Sequence, residues 1–147
     1  MVEFDEIELR NEFINDIREG FAEYYDLLKA EVQVESNNMQ EVTFPCCLVK
    51  LVNPISDQKY DDSDGSYQKI RFSLECDLYS KELEYFSVED SVIKLSQLLI
   101  KIIISKYPTF VVTRNSNIPY RAKTDVKRRI VDFACTYDVK NKIIYSN

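Results

Sequence analysis

Three clusters in this chain hold side chains able to do chemistry: the acids of Tyr60–Gly65, four cysteines, and the basic residues between Arg121 and Arg129. The acidic stretch YDDSDG carries Asp61, Asp62 and Asp64, and it suggests calcium. A helix–loop–helix calcium site needs an acid at the first loop position and a Glu at the twelfth, with Gly at the sixth. Aligned on Gly65, those positions hold Tyr60 and Arg71. The pattern fails, and the stretch reads as a solvated or interface loop. Paired carboxylates also occur at Asp61-Asp62 and Glu89-Asp90. Acid–base work requires environments that push two pKa values apart, which adjacency alone does not supply.

The cysteines are Cys46, Cys47, Cys76 and Cys135. Zinc sites need paired spacings such as C-x-x-C, and none is present. All four lie in apolar runs, so they read as small buried hydrophobes in a reducing compartment. The chain has no His, which removes the commonest general base and the commonest metal ligand. There is no glycine-rich phosphate loop. No catalytic residue, cofactor site or metal ligand is therefore assigned.

The basic cluster is Arg121, Lys123, Lys127, Arg128 and Arg129. A net charge of −6 argues against a general nucleic-acid binder. The cluster reads either as a solvated loop and strand edge or as one side of an ionic subunit interface, with DNA contact the weaker option given the overall acidity. Asp61, Asp62 and Asp64 form one half of that expected contact. Arg121, Lys123, Arg128 and Arg129 of a neighbouring subunit form the other half. Opposite charges of this kind give register and specificity more than affinity. Ten Tyr and eight Phe suit both a core and contacts between subunits. Of the adjacent pair Tyr24 and Tyr25, one must lie off the helix stripe, because neighbours on a helix differ by about 100°.

The elements that must position these groups follow from hydrophobic spacing. Ile14, Ile17, Phe21, Tyr24 and Leu28 recur at steps of three and four, which predicts one amphipathic helix from about Asp5 to about Val34. Val42 to Val52 predicts a strand with Pro45 near its start. From Arg71 to Ser80 the chain alternates: Phe72, Leu74, Cys76 and Leu78 share one face and polar residues the other. Ser87 and Asp90 resemble a capping box, opening a helix with Val88, Val92, Leu95, Leu99, Ile102 and Ile103 on its buried stripe. Tyr107-Pro108 ends it. Phe110 to Thr113 predicts a short strand and RNSNIPYRAKTD a polar loop. Val126 to Val139 predicts a long strand, Asp138 to Lys142 a turn, and Ile143 to Tyr145 a returning strand. The expected fold is α+β: two helices packed on a mostly antiparallel mixed sheet of about five strands, in one domain over residues 1–147. LSQLLIKIII is too short and interrupted to span a bilayer. The acidic start MVEFDEIELR does not read as a secretion signal.

This order of elements resembles the tail terminator, or tail completion, family of long-tailed bacteriophages. The resemblance rests on an opening amphipathic helix, a strand of the character FPCCLVKLV and one like IRFSLECDLYS. A helix like SVEDSVIKLSQLLIKII and a closing pair like VKRRIVDFACTYDVKNKIIYS complete it. It covers nearly the whole chain and follows pattern and order rather than an invariant motif. The acidic loop over residues 56–66 has no counterpart in that pattern. The resemblance implies a non-enzymatic virion protein made in the host cytoplasm. It would form a ring of about six copies on the tail tube. The ring would stop tube polymerisation and meet the head connector and, in contractile tails, the sheath. DNA would be passing cargo, no membrane would be involved, and the acidic loop could alternatively line the lumen. A head-closure or adaptor protein of the phage neck is the nearest alternative, and a cytoplasmic enzyme the more distant one.

Overall fold

A computed structural model describes residues 5–37, 41–56, 69–138 and 143–145. Asp61, Asp62 and Asp64 lie outside the described residues, as do Val139 and the expected turn's residues 139–142. The first helix, α1, spans Glu6–Ala22. Asp5 caps it, its carboxylate accepting from the Glu8 N–H at 3.0 Å, with Glu6 and Glu8 in the first turn. Leu9, Phe13, Ile14, Ile17 and Phe21 are buried along one stripe.

The single helix expected to reach Val34 is shorter. A separate four-residue turn, α2 (Tyr25–Leu28), follows α1, and Lys29 then takes a left-handed conformation with φ 52°. That reversal turns the chain so that residues beyond it form strand β1 (Gln33–Ser36). β1 pairs parallel to β2 (Cys46–Ser56), a contact that no local spacing signals. β2 runs antiparallel to β3 (Lys69–Ser80), and β3 antiparallel to β5 (Lys127–Asp138). Helix α3 (Val88–Lys106) connects β3 to the far side of the sheet. The Ser87 hydroxyl accepts from the Asp90 N–H at 3.2 Å, as the capping pattern requires. Strand β4 spans Val111–Ile118, so it takes the first five residues of the stretch expected to be a polar loop. It is polar because it is an edge strand and largely exposed. β6 (Ile143–Tyr145) pairs with residues 136–138 of β5. The order is β1-β2-β3-β5-β4 with β6 on β5, and β3 lines the other edge of β5 throughout. β4 and β6 therefore lie end to end along one border of β5.

This is the α+β architecture expected from the sequence, with α2 and β1 added to it. Among the described residues, helices cover one sheet face. Phe13 of α1 meets Phe72, Tyr107 and Phe110 with ring centroids 6.0, 5.3 and 5.9 Å apart. Val34, Cys47, Val49, Leu74, Cys76, Val131, Phe133 and Cys135 complete the helix-side core. All four cysteines are buried free thiols, as their apolar surroundings suggested. The two long helices come close at Gly20. A Cβ there would stand 2.5 Å from Cγ2 of Ile102, so the missing side chain is what lets α1 approach α3. The hydroxyl of Tyr107 donates to Asp16, and Lys106 reaches the same carboxylate at 3.0 Å, tying the end of α3 to α1. At the sheet's other border, Arg18 donates to the Val34 carbonyl at 2.8 Å and also reaches Glu35. Alternate residues of β1 turn their backbone groups away from β2, and Arg18 occupies one of those outward groups.

Candidate functional site

The second sheet face has no described helix on it. Strand register fixes which side chains it presents, because directly opposed residues share a face. One transverse row runs Lys50, Glu75, Asp132, Arg114 across β2, β3, β5 and β4. Its charges run plus, minus, minus, plus. Lys50 satisfies Glu75 at 3.0 Å. Asp132 is less well served: its Oδ1 is shielded from solvent and has no hydrogen-bond partner. Burial, reinforced by the neighbouring Glu75 charge, holds the Asp132 carboxyl above its ordinary pKa, with Arg114 and Lys50 pulling the other way.

Two rows further along lies an aromatic and basic end. Arg128 makes a two-pronged contact with Asp77, Nε to Oδ1 and Nη2 to Oδ2, each 2.8 Å. Its guanidinium sits 5.4 Å from the centroid of Tyr79, whose hydroxyl donates to the same carboxylate at 2.9 Å. Asp77 raises the Arg128 pKa by accepting its hydrogen bonds. Burial and then the Asp77 charge push the Tyr79 phenol up. Tyr120 packs edge-on against Tyr79 at 5.2 Å, and Phe44 lies 6.4 Å away. The ammonium groups of Lys81 and Lys123 stand 5.7 and 5.2 Å from the Phe44 ring centroid. A cavity of about 310 Å³ opens beside this end, with Glu89, Tyr120 and Lys127 in its wall.

Arg128 and Arg129, expected together on one ionic surface, are separated by the sheet. Neighbours in a strand point to opposite faces. Arg129 turns to the helix side and donates to Asn115 and Asn117 at 2.7 Å each. Arg128 is committed to Asp77. That leaves Arg121 and Lys123, both exposed in the loop after β4, as the expected interface residues that face solvent. Lys127, at the exposed start of β5, shares the parity of Arg129 and turns to the helix side. The ionic row of Lys50, Glu75, Asp132 and Arg114 did not emerge as a site from the sequence. The alternation of β3 put Glu75 on the polar face, but the register joining it to Asp132 is a tertiary fact. Among the described residues no group of three or more His, Cys, Asp or Glu is placed to hold a metal ion. Nor is any helix among them long and apolar enough to cross a membrane.

No protein-family model and no curated protein matches the chain.

Proposed function

We propose that this chain is a structural assembly protein of the tail terminator kind, working by ring formation and by binding rather than by turnover. In this reading about six copies close a ring on the end of a phage tail tube. The ring stops further addition of tube protein and offers its opposite face to the head connector. The observation that supports it is the sheet face on which no described helix lies. Its centre is charged and partly shielded rather than fully solvated, and one end joins aromatic rings to exposed cations. A ring subunit needs two different surfaces that meet each other in neighbouring copies. The helix layer and the sheet face without a described helix are two such surfaces. The element order that resembles the family supplies the tail, and the molecular partners follow from it.

The test has two parts. Native mass spectrometry of the purified chain, alone and with a phage tail tube protein, should give a closed oligomer of fixed copy number. Electron microscopy of particles assembled without the protein should show overlong or headless tails. Normal tail lengths with heads attached would remove the proposal. Capture of a portal or adaptor protein, with no binding to tube protein, would move the chain to the head-closure class.

A further inference from the structure

We infer that the exposed basic loop carrying Arg121 and Lys123 receives the acidic outer ridge of α1 from a second copy of this chain. The inference rests on the ring reading and names the contact that would build the ring.

The ridge is formed by Glu8, Glu12, Glu19 and the capping residue Glu23, all exposed. With Asn15 between them, the steps are four, three, four and four, one line along a helix. It extends about 22 Å at 1.5 Å per residue. Glu8 and Glu12 are one turn apart, and so are Glu19 and Glu23. Like charges at that spacing destabilise a helix. No Lys or Arg stands three or four residues from Glu8, Glu19 or Glu23 to offset this. Lys106 of α3 is the cation whose contacts show the ridge's influence. It is bonded to Asp16 and feels Glu19 and Glu23 only as secondary influences.

The basic loop has the opposite character. Lys81 is bound to Asp125 at 3.7 Å, and Arg128 to Asp77. Among the described residues no carboxylate lies in ion-pair contact with Arg121 or Lys123. Lys123 is held over Phe44, and Tyr120 anchors the start of the loop on Tyr79. The loop thus presents its cations from an aromatic footing instead of trailing free. Glu75 and Asp132 lie on the same sheet face, which disfavours a continuous polyanion such as DNA. A helix with discrete, spaced carboxylates fits better.

The two surfaces lie on opposite sides of the sheet. α1 packs through Phe13 on the Phe72 side, while Tyr79 and Arg128 face the other way. Within one molecule they cannot meet. Between copies they give a head-to-tail contact, the kind that closes into a ring when the rotation between copies is right.

The experiment uses two charge-reversed full-length chains. One carries Arg121→Glu and Lys123→Glu; the other carries Glu8→Lys, Glu19→Lys and Glu23→Lys. Each is expected to be monomeric by native mass spectrometry at a concentration where the wild type is a ring, with an unchanged far-ultraviolet dichroism spectrum. Mixed in equal amounts they should reassemble, because each loop then faces a ridge of opposite charge, giving oligomers with one-to-one composition. Oligomers of either variant alone with wild-type mass would overturn the contact while leaving the ring reading intact. So would failure of the mixture to assemble from two folded variants. A wild-type chain that stays monomeric at all concentrations, with and without tube protein, would remove both.

Discussion

Replacing Gly20 with Ala sets two ordinary effects against each other, and the structure gives the sign. In the middle of a helix the substitution favours folding by about 0.8–1 kcal/mol, because Gly loses more backbone freedom than Ala. Here the added Cβ would sit 2.5 Å from Cγ2 and 2.7 Å from Cγ1 of Ile102, with Cδ1 at 3.0 Å. Cγ1 and Cγ2 are bonded directly to Cβ of Ile102, so rotating the end of the side chain does not clear them. Ile102 is itself 6% exposed, which leaves little space to retreat into. Overpacking costs about 1–3 kcal/mol, and contacts this short with atoms fixed on Cβ belong to the upper part of that range, about 2–3 kcal/mol. The net expectation is destabilisation by about 1–2 kcal/mol, or a Tm lower by roughly 2–8 °C for a domain of this size. The control is Ile102→Ala, which removes all three contacting atoms. In that background Gly20→Ala should stabilise by about 1 kcal/mol, as propensity alone dictates. Urea titrations of the four chains give the cycle directly, with a coupling of about 2–3 kcal/mol between the sites. A Gly20→Ala chain that melts above the wild type would refute the close approach of α1 and α3.

Three further outcomes follow from the described geometry. Asp132 has a raised carboxyl in the folded state. Its charge therefore opposes folding above that value, and stability rises as pH falls toward the unfolded carboxylate range near 3.8. Asp132→Asn should raise Tm at pH 7, with the gain shrinking in that acid window; a lower Tm at pH 7 would count against the buried carboxylate. Lys29→Gly relieves a left-handed backbone at a non-glycine residue and should stabilise by about 1 kcal/mol in denaturant titrations, whereas Lys29→Val should do the reverse. The thiols should resist a disulfide reagent in the folded protein and all react after denaturation. Burial, followed by the charge of Cys47, pushes the Cys46 thiol up to about 12, and burial also raises Cys135. Rapid labelling of the native chain would contradict this.

What the sequence revealed was whatever a local period could encode. The alternation over Phe72, Leu74, Cys76 and Leu78 gave the buried face of β3, and the three-and-four spacing gave most of the stripe of α3 but only Ile14, Ile17 and Phe21 of the α1 stripe, missing Leu9 and Phe13. What stayed hidden depended on distant partners. Val32 and Val34 are buried, but four residues are too few to show a strand period, and β1 exists because it pairs parallel to β2. The left-handed turn at Lys29, which ends the helical run, has no glycine to announce it. Arg114 to Ile118 looked like a loop because an edge strand has one ladder and little to bury. The basic cluster was visible as composition, yet strand alternation divides Arg128 from Arg129. Which of its members remain available for contact was a matter of Asp77, Asn115 and Asn117.

The guanidinium that caps the Val34 carbonyl has a consequence for how this protein can assemble. Sheets that grow without limit need two free borders, each able to template another strand. Here Arg18 occupies a carbonyl on one border, and among the described residues the other border, along β4, has no further strand paired to it. A chain built this way resists runaway fibril growth by backbone pairing. Self-association is left to side chains, whose charges can be satisfied by a finite number of neighbours and then stop.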